Sequence, residues 1–448
     1  KHNETQLIML LESNRYKNNM LLSNIYWISL ARMATIGSQF VSLLVLARLL
    51  GPDVYGQMAV ISTALAFSMM FIDLGTGAAL IQKKIIFKSL YQNVNTLNIY
   101  LGITLSIFLA IIALPLSIFV QLNIFWPLIF TAIIPIFSGL SIAPRARLER
   151  HSKFRTIFFI DSLATLLSIL IAITLAFLNP SVYVLVIQSI TSSMVIFAFL
   201  IWKSPIPLRW KINKNDFTDI FTFSSNFAIF NFMNFFHRNA DTAILGSLSG
   251  VNDLGAYNLS YRFVLFPIQN FSIVMQRAAF PYFSRMQDDR AQISQKFTSI
   301  LYYTAIFSSI LMAFVWSLRE PIVYTVLGPS WRLVVELLAW MAPLGFLQAT
   351  NSLTGFLFNS LGRSDLLRRL GQYGIPLIIS GMVVGYRING TIGLAQGYFF
   401  ITLIWSIILF YCTARILHLK GIYYILRVAL IAVFGVILAQ IIQYIVKV

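Results

Sequence analysis

The sequence predicts an all-α polytopic membrane protein made of two six-helix halves and about thirteen transmembrane helices. Three observations carry the prediction: composition, the distribution of basic residues, and an internal repeat. Of the 448 residues 58% are hydrophobic and 11% charged, against roughly 25% charged in a soluble protein, and mean hydropathy is +0.79. Apolar stretches run at about 24–47, 57–81, 95–119, 124–143, 156–178, 181–202, 218–246, 255–281, 298–317, 334–358, 370–386, 391–412 and 424–446. Each approaches or exceeds the ~20 residues a helix needs to cross a bilayer. Span 124–143 is interrupted by Pro135 and span 370–386 is short. The 15% aromatic content fits interfacial belts and lipid-facing surfaces.

The net charge of +18 has a topological origin. Lys83, Lys84 and Lys88 follow the second span; Arg145, Arg147, Arg150, Lys153 and Arg155 follow the fourth; Lys203, Arg209, Lys211 and Lys214 follow the sixth. Later even-numbered spans precede Arg285, Arg290 and Lys296, then Arg363, Arg368 and Arg369, then Arg415, Lys420 and Arg427. The other loops hold only Arg48, Arg319, Arg332 and Arg387, with Lys447 at the end. This alternation places the N-terminus and the basic loops in the cytoplasm and leaves no call for nucleic acid as a partner. Contact with anionic membrane lipids is the expected second role of these loops.

The repeat joins the halves. Arg32, Thr35, Gln39 and Ser42 share one helix face, an arc of about 80°. The same spacing returns 199 positions later as Asn231, Asn234, Arg238 and Asp241, in the apolar stretch Phe221–Leu248. Both stripes run into related turns, Leu49-Leu50-Gly51-Pro52-Asp53-Val54-Tyr55-Gly56 and Leu248-Ser249-Gly250-Val251-Asn252-Asp253-Leu254-Gly255. Six spans per half make the repeats parallel, related by a pseudo-twofold along the membrane normal. The predicted organisation is a cytoplasmic segment 1–19, a six-helix bundle 20–202, a Pro-containing cytoplasmic linker 203–216, a second bundle 217–412 and an extra helix within 413–448. Lys1 in place of Met, and an end two residues after an apolar run, lead to the expectation that the chain is trimmed at one or both ends.

Polar stripes carrying ionised groups are costly against lipid and so are expected to face a wet cavity. Arg262 and Arg277 add two cations in the eighth span, where Asn258, Gln269, Ser272 and Gln276 cluster with Arg262 on one face. An Arg at mid-membrane costs about 2.5–3.5 kcal/mol, so several of them point to an anionic cargo. Phosphate suits the guanidinium fork. The competing readings are pairing of Arg238 with Asp241 one turn on, and snorkelling of Arg277 to the interface. Asp73 and Asp241 are the candidates for coupling to H⁺ or Na⁺, although Asp73, before Leu74-Gly75-Thr76-Gly77, equally fits a cap at a helix break. His237 beside Arg238 reads as a structural histidine ahead of a proton relay. Pro267, Pro343 and Pro376 are expected to kink their helices.

Other chemistries lack their residues. The single Cys412 excludes an internal disulfide and any CxxC motif, and the four histidines form no metal-ligand set. There is no GxxxxGK[ST] nucleotide motif, so ATP hydrolysis by this chain is not expected; the chain is read as a non-enzyme with no cofactor beyond a coupling H⁺ or Na⁺. Gly381–Gly385 and Gly393–Gly397 have the spacing of helix-packing glycines. No apolar core of a cleavable signal peptide stands in the first twenty residues.

Two blocks carry a family resemblance. Leu46–Gly56 with Asp73-Leu74-Gly75-Thr76-Gly77-Ala78-Ala79-Leu80-Ile81-Gln82 is one; Asp241–Gly246, Gly255–Tyr257, Tyr261–Asn270 and Phe280–Gln287 form the other. They resemble the polysaccharide-transporter family, the Wzx-type lipid-linked oligosaccharide or O-antigen flippases, closest to the colanic-acid and teichuronic-acid exporter branch. The resemblance implies the MATE/MOP-like fold, with two six-helix bundles around a V-shaped cavity. It implies a flippase moving an undecaprenyl-diphosphate-linked oligosaccharide from the inner to the outer leaflet of the bacterial cytoplasmic membrane. Arg32, Arg238 and Arg262 match its basic cavity positions, with a polysaccharide polymerase and a chain-length regulator as partners. Two spans beyond twelve form a lipid groove in the lipid II flippase relatives, whereas one is visible here. A cation-coupled multidrug exporter of the same fold is the first rival, and would carry more acidic cavity residues. A membrane polysaccharide polymerase or ligase is the second, and would need a long external loop with Arg and His.

Overall fold

The computed structural model describes residues 2–72, 76–82, 88–207, 235, 239–285, 290–361, 363–419 and 421–447; among these, 2–34, 78–79, 82, 88, 269–282, 284–285, 290, 359, 364, 367, 421–424 and 447 are described in backbone only. Every regular element among the described residues is helical. In order they are α1 (His2–Ile72), α2 (Thr76–Gln82), α3 (Lys88–Val120), α4 (Phe125–Thr131), α5 (Ile134–Arg150), α6 (Phe154–Leu178), α7 (Val182–Lys203) and α8 (239–248). There follow α9 (Val251–Arg285), α10 (Arg290–Ser317), α11 (Arg319–Ile322), α12 (Arg332–Ser360), α13 (Ser364–Ile416) and α14 (Gly421–Lys447). Nine segments among the described residues are long and apolar enough to cross a membrane. Two of the long helices each hold two of the expected spans. α1 turns at Gly51, whose left-handed φ of 77° suits a residue without Cβ, and Pro52 then starts the next run. α13 turns at Asn389 and Gly390.

The expected fourth span is two helices. Its break falls at Ala132 and Ile133, and Pro135 opens α5. Ser106 of α3 donates to the Ala132 carbonyl, supplying a partner where the helical ladder is interrupted inside the bilayer. Helical structure continues through Pro343 in α12 and Pro376 in α13. The segment between residues 317 and 334, which separates two of the expected spans, is also ordered helically: α11, a π-helical turn Val323–Leu327 and a 3₁₀ turn Pro329–Trp331. Trp331, fully buried, anchors it.

The chain forms two compact units, Lys1–Leu50 with Val60–Arg238, and Gly51–Ala59 with Asn239–Val448. In the first, α3 packs on α5, α5 on α7, and α6 on α7. Gln188 of α7 donates to Ser42 of α1 at 3.0 Å. In the second, α12 is central, packing on α9, α10 and α13, while α14 lies on α10. Ser309 donates to the Ile431 carbonyl at 3.0 Å and Ser317 to the Ala439 carbonyl at 2.7 Å. The equal offset of 122 residues makes α10 and α14 parallel, which an odd number of intervening crossings requires.

The glycine spacings in α13 are packing devices. A Cβ at Gly385 would overlap the Gly393 carbonyl, one at Gly393 the Gly385 carbonyl, and one at Gly397 the Gly381 carbonyl. Close backbone approach replaces the hydrophobic driving force that helices lack in lipid. Gly385→Leu should therefore lower stability by about 1–3 kcal/mol through overpacking. The check is the thermal unfolding midpoint in detergent: a fall is expected, and an unchanged midpoint contradicts the crossing.

Candidate functional site

The site is built on α8 and α9, which sit either side of the turn 249–250. Asp241 of α8 is 5% exposed. The Thr242 backbone N–H donates to its Oδ1 at 2.7 Å, the Thr242 hydroxyl lies 3.4 Å from the same oxygen, and the Tyr257 hydroxyl donates to Oδ2 at 3.0 Å. A buried carboxyl in hydrocarbon requires such donors, because losing water without replacement costs several kcal/mol. Tyr257 is itself fully buried and stacks on Tyr261 one turn on, with ring centroids 6.2 Å apart. Tyr261 hydrogen-bonds to Tyr398 of α13. Gln348 of α12 donates to the Tyr398 hydroxyl at 2.7 Å. Asp241, Tyr257, Tyr261, Tyr398 and Gln348 thus lie close together in the second unit.

Arg262 follows Tyr261 directly. It is exposed, between buried Ser260 and buried Phe263, and among the described residues it makes no salt bridge. Its electrostatic neighbour is Tyr55. Asn258, one turn before it, reaches the Thr242 hydroxyl at 3.5 Å. The α8–α9 pair therefore combines a sequestered carboxyl with an accessible cation a few residues along.

The remaining predicted residues distribute as follows. Gln39 is exposed on α1, in keeping with an accessible face. Ser42, at the end of the same stripe, is instead buried against Gln188 of α7, because its direction departs from that of Gln39 by about 60° and points into helix packing. Asp241 departs in the same way: it faces Tyr257 and lines no open space. Arg32 belongs to α1, and Gln269 and Arg277 to α9, each described in backbone only. Asn231, Asn234, Arg238 and Asp73 lie outside the described residues, as does His237.

Three arginines read as topology signals have specific partners as well. Arg145 grips Asp161 of α6 with both terminal nitrogens, at 3.1 and 2.7 Å, and Glu149 through Nε at 3.3 Å. Arg150 donates to the carbonyls of Leu80 and Ile81 at the end of α2, and Arg147 to that of Pro205. The basic C-terminal end of α5 therefore also fastens the chain around it. Nothing in one-dimensional spacing pairs Arg145 with Asp161, since the bond crosses two helices. Tyr257 and Tyr261 were equally hidden, as an i, i+4 aromatic pair reads like any lipid-facing surface.

The comparisons agree with this architecture. A family model described as "Polysaccharide biosynthesis protein" matches residues 45–336. Among curated relatives, the Lipopolysaccharide biosynthesis protein WzxC of Escherichia coli (strain K12) is 22% identical over 397 residues, 87% of this chain and 80% of that protein. The Teichuronic acid biosynthesis protein TuaB of Bacillus subtilis (strain 168) is 24% identical over 352 residues, 77% of this chain and 72% of that one. Among solved structures, the lipid II flippase MurJ in an inward closed conformation superposes with a TM-score of 0.71 at 13% identity, covering 94% of this chain and 97% of that one. The fold is that of the multi-pass membrane transporters of the MOP superfamily. The chain belongs to the polysaccharide biosynthesis protein family whose model it matches.

Tyr257→Phe should cost about 1–3 kcal/mol by leaving the buried Asp241 carboxyl short of a donor. Adding Asp241→Leu should recover part of the loss, since removing both partners leaves nothing unsatisfied. Thermal unfolding of the two variants in detergent checks this; a double variant less stable than Tyr257→Phe alone contradicts it.

Proposed function

We propose that this protein flips an undecaprenyl-diphosphate-linked oligosaccharide between the leaflets of the bacterial cytoplasmic membrane by alternating access. The observation that carries the reading is Arg262: an exposed guanidinium on α9, in the stretch 255–281 that the sequence marks as a span, with no carboxylate bound to it among the described residues. Facing lipid it would cost about 2.5–3.5 kcal/mol, so its exposure fits a wet chamber. A guanidinium there offers a diphosphate paired charge-assisted donors and repels organic cations, which favours this reading over multidrug export. Membership of the polysaccharide biosynthesis family and the names of WzxC, TuaB and MurJ agree in cargo class.

Arg32 and Arg238, with Arg277 at the cytoplasmic end, join Arg262 as diphosphate ligands in this proposal, while Gln39, Asn231, Asn234 and Gln269 contact sugar hydroxyls. The chamber replaces the water that the headgroup sheds, and the prenyl tail stays in lipid. The basic loops and the N-terminus lie in the cytoplasm. Asp241, held by Tyr257 and near Arg262 in sequence, is the coupling carboxyl for H⁺ or Na⁺, with Asp73 as the second candidate. Polymerase and chain-length regulator act on the delivered cargo, and this chain makes or breaks no covalent bond.

In proteoliposomes loaded with a fluorescent prenyl-diphosphate oligosaccharide, Arg262→Ala should slow flipping roughly 10- to 100-fold, the loss of ~1.5–3 kcal/mol in charged hydrogen bonding. Arg262→Lys should retain part of the rate; equal rates in all three proteins would remove the phosphate-ligand assignment. Asp241→Asn should abolish acceleration by an imposed proton or sodium gradient while the ungraded rate persists. Retained acceleration by both gradients would remove Asp241 from coupling.

A further inference from the structure

The limb of α13 before its turn at Asn389 and Gly390 exposes a polar face where a lipid-facing span exposes hydrocarbon. From Arg369 to Val384 its exposed residues are Arg369, Gln372, Tyr373, Pro376, Ser380 and Val384, and Val384 is the one aliphatic side chain among them. At 100° per residue they share an arc of about 120°. α6 shows the ordinary pattern, exposing Phe159, Leu163, Leu166, Leu170 and Ile171 along its length.

Pro376 adds a backbone group to the face. It has no N–H to return to the Gln372 carbonyl, one turn back on the same stripe. The Ser380 hydroxyl donates to the Leu377 carbonyl at 2.8 Å and can still accept. At 1.5 Å per residue Ser380 lies about 14 Å from the turn and about 16 Å from Arg369, so the stripe reaches the middle of a ~30 Å hydrocarbon layer. Against lipid, the Gln372 amide and its carbonyl would both lose water without replacement.

Nor does the face have the make-up of a helix-docking surface. Helices in lipid approach through small residues. In this limb those are Gly374, Gly381 and Gly385, roughly 140° round from the stripe, and they are already used. A Cβ at Gly374 would overlap the Trp405 ring, one at Gly381 the Ile401 side chain, and one at Gly385 the Gly393 carbonyl. What the stripe offers instead is an amide, a hydroxyl, a carbonyl without its helical donor, and the Tyr373 ring, 75% exposed. A hydroxyl-rich molecule both donates and accepts, and so answers the first three, while its C–H faces suit the ring.

We propose that this face of α13, carried by Gln372, Tyr373 and Ser380 with the Gln372 carbonyl, is a contact surface for the glycan part of the cargo, distinct from the guanidinium that takes the diphosphate. The inference rests on the proposed function for its cargo. It goes further in making recognition depend on the sugars as well as on the headgroup, so that one lipid diphosphate is handled differently with and without its oligosaccharide.

The test places single cysteines at Ser380 and, for comparison, at Asn258, four positions before Arg262, each in a Cys412→Ala protein. In proteoliposomes a charged, membrane-impermeant thiosulfonate should label Ser380→Cys. No reaction overturns the proposal, because a thiol against lipid is neither ionised nor reached. The competitors are the undecaprenyl-diphosphate oligosaccharide fraction extracted from the cells that make the protein, and undecaprenyl diphosphate alone. The oligosaccharide fraction should slow labelling of Ser380→Cys roughly tenfold and undecaprenyl diphosphate should leave it unchanged, while both slow labelling of Asn258→Cys. Equal protection of Ser380→Cys by the two, or by neither while Asn258→Cys is protected, overturns the glycan contact and leaves the proposed function standing. Protection at neither position overturns the proposed function and this inference with it. Adding Gln372→Leu, an exchange a membrane helix tolerates, should weaken the protection of Ser380→Cys several-fold; unchanged protection removes Gln372 from the contact.

Discussion

An ion in hydrocarbon must bring its own solvent, and the placement of polar groups in this protein follows from that requirement. Asp241 is solvated by Thr242 and Tyr257. Arg145 is solvated by Asp161 and Glu149 where α5 and α6 near the membrane boundary. Even backbone breaks obey it: Ser106 answers the carbonyl released at Ala132, and Ser309 and Ser317 tie α10 to α14 through carbonyls. Arg262 is the contrast. It is exposed on α9 and makes no salt bridge among the described residues, which is why the proposed function assigns it to the cargo.

Two kinds of contact divide the labour. Aromatic and aliphatic packing around Trp331, Tyr257 and Phe283 makes the second unit a settled body. Glycine-on-carbonyl contacts bring backbones together where side chains would interlock. The first kind resists separation, since its surfaces interdigitate. The second lets backbones approach closely where the bilayer supplies no hydrophobic drive between helices.

Much of the fold was legible from one dimension because the bilayer constrains it strongly. Helical spans arise from single-residue transfer energies, which sequence records directly. Less legible was where polar residues point. Gln39 and Ser42 look equivalent on a helical projection, yet one is exposed and the other bonds to Gln188, because the packing of α7 selects between directions about 60° apart. Asp241 appeared to share a wet face with Arg238, and only the partner Tyr257, on the next helix, reveals it as sequestered. The link from Tyr261 to Tyr398 and Gln348 joins residues more than eighty positions apart, beyond any local pattern. The segment between residues 317 and 334 carries Gly328 and Pro329, residues that punctuate helices, yet buried Trp331 organises it into short helical turns.

The central claim is that a guanidinium in the membrane interior selects a phosphorylated lipid headgroup. Native mass spectrometry of the purified protein, offered undecaprenyl diphosphate and undecaprenol at equal concentration, tests it most directly. The account predicts retention of the diphosphate over the alcohol, with the preference diminished when Arg262 is replaced. Equal retention of the two lipids would contradict it.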